Sequence, residues 1–153
     1  MDIGVKKTDQ KQQAYEIAKT LTNSFDENGL KNMREDLNNH TLFGAYMEGK
    51  MVGFVTYKEL NPDTIEISWL AVLHDYQGKG IGSRLVLESL KQVGKSHKAC
   101  EVKALSEIHP DEGYRRTREF YKKLGFIALE TIDPYPGWSK GSPCQIFVKF
   151  LGA

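Results

Sequence analysis

Cysteine is nearly absent: Cys100 and Cys144 are the two in 153 residues, and they have neither the close spacing of a redox pair nor that of a metal site. This excludes a disulfide-stapled scaffold, and both thiols are expected to be packed and reduced. Histidine is also sparse. His40, His74, His97 and His109 are scattered without a ligand pattern, so no metal is expected. No run of about 18 apolar residues exists, and Met1 to Lys6 lacks the apolar stretch of a signal peptide, which predicts a cytoplasmic protein with no membrane partner. Charge of one sign is lacking as well, since 21 basic and 20 acidic residues leave a net charge of +1. Nucleic acid therefore has no electrostatic claim on the chain, and an anionic ligand must be held locally.

What is present is an ordinary globular balance, 40% hydrophobic and 27% charged residues. The length suits one core and one domain over residues 1–153. The most distinctive stretch is Gln77-Gly78-Lys79-Gly80-Ile81-Gly82-Ser83, lying between an apolar strand-like run and the start of an amphipathic helix. Glycines let backbone N–H groups close on a ligand, and the helix behind them adds unpaired donors and the positive end of its dipole. Such a turn suits a pyrophosphate. Three tenants compete for it: a dinucleotide, a nucleotide on a P-loop, and coenzyme A.

The rest of the chain alternates in period. Ile3 to Lys7 reads as a strand; Ala14, Ile17, Ala18, Leu21 and Phe25 then give a helical face capped by Thr8 or Asp9. Asn23 to Gly29 reads as a break, and Leu30, Met33 and Leu37 as a second, shorter helix; these two helices either simply cover the sheet, which this stretch alone favours, or wall an acceptor site. Leu42 to Met47 and Met51 to Tyr57 flank a hairpin turn at Glu48-Gly49-Lys50. Asn61-Pro62-Asp63 turns into a third strand, Thr64 to Leu73, whose alternation dissolves at Leu70-Ala71-Val72-Leu73. A helix from Ile81 to about Gly94 follows, then a strand from Glu101 to Leu105 that this crossover makes parallel to the last. Ser106 to Gly113 is a polar loop. A helix lined by Tyr114, Thr117, Tyr121 and Leu124 ends at Gly125, and Ile127 to Ile132 and Gln145 to Leu151 are strands around a long loop, Asp133 to Pro143. The expected fold is α/β, a mixed, mostly antiparallel sheet with helices on both faces, in the order β-α-α-β-β-β-α-β-α-β-β.

A dinucleotide fingerprint needs glycine or a small substitute at the sixth position from Gly78, where this chain has Ser83, and it normally opens its domain rather than following an antiparallel meander. A P-loop needs Gly-Lys-Ser/Thr at its end, which is absent. Gln77-Gly78-Lys79-Gly80-Ile81-Gly82 instead resembles the Q/R-x-x-G-x-G/A motif of the GNAT family of N-acetyltransferases. Leu70-Ala71-Val72 resembles the strand end that precedes that motif. A second match, Phe120-Tyr121-Lys122-Lys123-Leu124-Gly125-Phe126, is similar to the family's F/L-Y-x-x-x-G-F segment, and the element order agrees along essentially the whole chain.

The resemblance implies a sheet with a central, splayed parallel strand pair that receives acetyl-CoA, and no metal. Main-chain groups of Leu70, Ala71 and Val72 would bond the pantetheine arm, and a strand bulge belongs near there. N–H groups of Gly78, Lys79, Gly80, Ile81, Gly82 and Ser83, after Gln77, would hold the pyrophosphate. Lys79 and Arg84 are either added charge or solvated. Thr117 stands where alanine is usual in the family and is taken as a cofactor contact; Tyr114 replaces a usual asparagine. Tyr121 would be the general acid toward the coenzyme A thiolate, and Glu66 the general base through water, with Glu101 its rival and a plain salt bridge the structural alternative. An N–H near Val72 would hold the oxyanion. The implied activity is acetyl transfer to a primary amine of a small molecule or peptide in a ternary complex; the alternative is a noncatalytic acyl-CoA-binding sensor or interaction module. Glu107, Asp111 and Glu112 with Tyr135 and Trp138 would suit a cationic or aromatic amine. A homodimer is common in the family.

Overall fold

The computed structural model describes residues 2–21, 25–105, 112–138 and 142–152. Its elements are β1 (Gly4–Lys7), α1 (Lys11–Lys19), α2 (Glu27–Leu37), β2 (Thr41–Met47), β3 (Lys50–Asn61), β4 (Thr64–Val72), α3 (Ile81–Val93), β5 (Ala99–Leu105), α4 (Glu112–Lys123), β6 (Ile127–Ile132) and β7 (Cys144–Phe150). The seven strands form one sheet in the order β1-β2-β3-β4-β5-β7-β6. Every neighbouring pair is antiparallel except β4 with β5, as the α3 crossover requires. The expected element order and mixed α/β sheet are both found.

Local chemistry explains several boundaries. Glu48 and Gly49 both have positive φ, 50° and 78°, the backbone that lets a two-residue turn follow the twist of β2 and β3. β3 continues four residues past the expected Tyr57. Lys58 to Asn61 are all exposed, so no alternation marks them. α2 begins inside the stretch read as a break, because the Asp26 carboxylate accepts the Gly29 N–H at 2.7 Å and caps the first turn despite the glycine in it.

The sheet divides two apolar layers. On one face Ile65, Ile67, Leu85, Val86, Tyr121 and Phe126 pack under α3 and α4. On the other Phe54, Met33, Ile17, Leu37 and Ala71 pack under α1 and α2. Complete burial of Phe54 and Leu85 stabilises the fold by about 1.5–3 kcal/mol each.

Two irregularities in β4 shape the centre of the molecule. Thr56 of β3 lies opposite Trp69 and Tyr57 opposite Ile67, so Ser68 is an extra residue without a partner. This is a bulge, and it reverses the facing of everything after it. Ile65 and Ile67 face the α3–α4 layer before it; Leu70 and Val72 do so after it, while Trp69 and Ala71 turn to the α1–α2 layer. The bulge lies two residues earlier than the dissolving alternation at Leu70 to Leu73 implied, because the parity change becomes visible in sequence only downstream of it. The second irregularity is the β4–β5 pair, which holds for Thr64–Ala99, Ile65–Cys100 and Glu66–Glu101. Past Glu101, β5 stays paired with β7 as far as Leu105, so the two parallel strands part.

Candidate active site

The parting of β4 from β5 opens a cleft of about 590 Å³. Leu70, Ala71, Val72, Gln77, Gly78, Gly80, Ile81, Gly82, Ser83, Thr117 and Tyr121 all line it. Of the residues expected around a cofactor, Lys79 is the one off this lining; its ammonium lies over the Tyr76 ring, 5.6 Å from the centroid. The cleft also takes in Ser68, Trp69, Tyr76, Lys103, Arg116 and Phe120, which sequence reasoning did not assign. Phe120 adjoins Tyr121 in a motif already noted, and Lys103 shares a face with Glu101; Ser68 carried no signal.

The glycine turn has a backbone that side chains resist. Gly78 and Gly80 have φ of 74° and 81°, and a Cβ on either would meet nothing within 4 Å. Conformation, not space, demands glycine there. Gly80 is the N-cap of α3, whose first turn carries no acidic residue. The free N–H groups and dipole of that end point at the cleft wall formed by Ile81, Gly82 and Ser83. Gln77 Nε2 donates to the Val72 carbonyl at 2.9 Å, tying the turn to the end of β4. Arg84 is engaged elsewhere, donating to the Ile3 carbonyl at 2.7 Å and to Glu88 at 2.8 Å.

Tyr121 projects from α4 and is 5% exposed. Phe120 and Phe126 meet its ring edge to face at 5.1 Å and 5.4 Å. Burial, with Cys100 nearby, pushes the phenol above its ordinary value, so it keeps its proton throughout neutral pH.

Below the cleft, Glu66 and Glu101 lie side by side in register where the strands begin to part. Lys103 Nζ donates to Glu66 Oε2 at 2.5 Å and sits 5.5 Å from the Tyr135 ring centroid. Burial raises the Glu101 carboxyl, and the hydrogen bond and charge of Glu66 raise it further. Burial works against the Lys103 ammonium, but the hydrogen bond and charge of Glu66, then Tyr135 and Glu101, outweigh it and raise Lys103. Lys103 also lines a neighbouring recess of about 580 Å³ with Asp26, Asn28, Asn32, Thr117 and Trp138. The N-terminal end of α2 thus walls a second space, to which α1 contributes no residue. Tyr135 and Trp138 contact one another at 5.5 Å. Glu107, Asp111 and the side chains of Glu112 and Tyr114 lie outside the described residues.

Cys100 and Cys144 are free and buried. Burial pushes their thiols up to about 12 and about 11, which makes them inert packing groups as expected. Among the described residues no cluster of His, Cys, Asp or Glu is arranged to hold a metal, and no helix is long and apolar enough to cross a membrane.

A family model described as the acetyltransferase (GNAT) family matches residues 11–126. No curated protein matches the chain in sequence. Among solved structures, a GNAT-family protein from Desulfovibrio desulfuricans superposes with a TM-score of 0.84 at 16% identity, over 99% of this chain and 100% of that one. An aminoglycoside 6'-N-acetyltransferase from Enterococcus faecium gives 0.76 at 18% identity, over 98% of each chain. A GNAT family acetyltransferase from Elizabethkingia anophelis, with acetyl-CoA bound, gives 0.75 at 18% identity, over 97% of this chain and 98% of that one. At such identities the likeness is one of fold.

Proposed function

The chain belongs to the GNAT acetyltransferase family, and we propose that it transfers the acetyl group of acetyl-CoA directly to a primary amine of a small molecule or peptide. One observation carries this reading. The glycine turn before α3 and Tyr121 of α4 both line the cleft between the parted strands, so one extended ligand reaches both an anion cradle and a proton donor. Residues 1–153 act as one transferase domain.

In this reading the N–H groups of Gly78, Gly80, Ile81, Gly82 and Ser83 hold the pyrophosphate, with Gln77 fixing the turn and Lys79 adding charge at its rim. Main-chain groups of Leu70, Ala71 and Val72 take the pantetheine arm as an added strand, and Thr117 borders it from α4. Attack by the amine forms the C–N bond and breaks the C–S bond. An N–H near Val72 holds the oxyanion, and Tyr121, held protonated by burial, donates to the departing thiolate. Glu66 draws the amine in, and the proton that the amine gives up leaves through water.

The acceptor enters through the recess of Asp26, Asn28, Asn32 and Trp138. An indole wall and the Asp26 carboxylate, one oxygen of which caps α2, suit a cationic or aromatic amine. The Lys103 charge does not oppose this, because Glu66 neutralises it. The test is coenzyme A release from acetyl-CoA across polyamines, aminoglycosides, amino acids and peptide N-termini. Release with at least one class is expected, and its loss in Tyr121→Phe with acetyl-CoA still bound. Binding of acetyl-CoA without release in any class would replace the enzyme by the acyl-CoA sensor.

A further inference from the structure

The bulge at Ser68 brings together five hydrogen-bonding side chains that the acetyl transfer so far leaves unused. Ser68 lines the cleft. Its Oγ lies 2.8 Å from His40 Nδ1 and 2.7 Å from Thr56 Oγ1. His40 Nε2 lies 3.7 Å from Asp36 Oδ1, and the other oxygen of Asp36 accepts the Trp69 indole N–H at 2.8 Å. The residues come from α2, the turn after it, β3 and β4, and none are neighbours in sequence except Ser68 and Trp69. Without the bulge, Ser68 and Trp69 would point to opposite faces of the sheet.

We propose that Ser68 and His40 form the proton exit of the acylation reaction, with Ser68 facing the substrate and His40 acting through it. This rests on the transferase reading above. An acceptor ammonium loses two protons on becoming an amide: one ends on the coenzyme A sulfur through Tyr121, and the other must leave. Glu66 lies off the cleft lining with its carboxylate already held by Lys103 Nζ, whereas Ser68 lines the cleft. Ser68 stands two residues along on the same face of β4. Its hydroxyl takes the proton from the amine, or from the water ahead of it, while passing its own to His40 Nδ1.

The surroundings fit a neutral, receptive imidazole. Asp36, fixed by the Trp69 N–H, favours the proton on Nε2 and so leaves Nδ1 as the acceptor toward Ser68. Thr56 donates to Ser68 Oγ when Ser68 donates to His40. Burial lowers the His40 pKa; Asp36 raises it, Lys58 from β3 lowers it, and Glu66 from β4 raises it, with burial the largest. His40 is therefore unprotonated at neutral pH and charges only in passing. The imidazolium discharges toward solvent past Asp36, whose side chain is 36% exposed.

The experiment follows coenzyme A release at pH 5 to 8.5 with three probe amines, spermidine, kanamycin and an alanine-initiated tripeptide. Wild type should show an acid limb in kcat with its midpoint below the ordinary histidine value. His40→Gln should lower kcat by about 100-fold and remove that limb, with the KM for acetyl-CoA unchanged. Ser68→Ala should do the same, and Ser68→Thr should restore part of the rate. His97→Gln, whose ring pairs with Glu59, should behave as wild type. A wild-type measurement covers variants that fail to fold: the imidazole of His40, followed by nitrogen NMR, should titrate with the midpoint of the kcat limb. His40→Gln with rate and limb intact, or an NMR midpoint that departs from the limb, overturns the relay alone. Wild-type protein that binds acetyl-CoA and releases no coenzyme A with any amine overturns the transferase reading, and the relay with it.

Discussion

At the scale of single residues, burial decides what each titratable group does. Tyr121 is closed in by Phe120 and Phe126, so it is a donor that does not ionise in the working range. Tyr121→Phe keeps the packing and removes the proton, and should lower kcat by about 10²–10⁴-fold while acetyl-CoA binding, read by calorimetry, is retained. Glu66 is tied to Lys103 with side-chain exposures of 11% and 24%. Removing one partner of such a pair leaves a half-buried charge; Glu66→Gln should cost about 1–3 kcal/mol, below the figure for a fully buried pair because solvent reaches Lys103. The pH dependence has a definite sign. Lys103 is raised in the fold, so its stabilisation is complete below the ordinary lysine value of about 10.4 and is lost as pH climbs through the folded value. Urea midpoints between pH 9 and 11.5 should fall in wild type and fall less in Glu66→Gln; parallel curves would deny the pair its role.

At the scale of elements, the turn before α3 and the bulge in β4 differ in how well they can be read. The turn is legible because its requirement is local: Gly78 and Gly80 need positive φ, and only glycine adopts that conformation without strain. Gly80→Ala tests this directly. With open space around the new Cβ, the cost is conformational alone, about 1–2 kcal/mol, and acetyl-CoA affinity should drop because the N–H groups no longer converge; a variant with wild-type stability and affinity would contradict it. The bulge is not legible in the same way. Ser68 looks like any polar strand residue, and its role is set by Thr56, His40 and Asp36, which lie 12, 28 and 32 positions away. The same limit applies to α2, where Asp26 supplies a cap that overrides the glycine signal. Motif residues such as Gln77 and Tyr121 could be placed from sequence, whereas Lys103, Asp26 and the relay required the register of the sheet.

At the scale of the whole molecule, the cleft exists because the sheet gives up pairing at its centre. β4 and β5 share three registered pairs and then separate, while β5 keeps its antiparallel partner, so the opening is braced on both sides and needs no lid to form it. A ligand seated there bridges β4, α3 and α4, which already share the apolar layer on one face of the sheet. It should therefore stabilise the whole fold by mass action, by about 2.7 kcal/mol at one hundred times its dissociation constant. For a chain of this size that is a rise in Tm of roughly 5–11 °C. Acetyl-CoA should produce this shift in a thermal melt, coenzyme A should produce a comparable one through the same pyrophosphate contacts, and NAD should produce none. An NAD shift exceeding that of acetyl-CoA would return the glycine turn to a dinucleotide and remove the basis for the transferase mechanism.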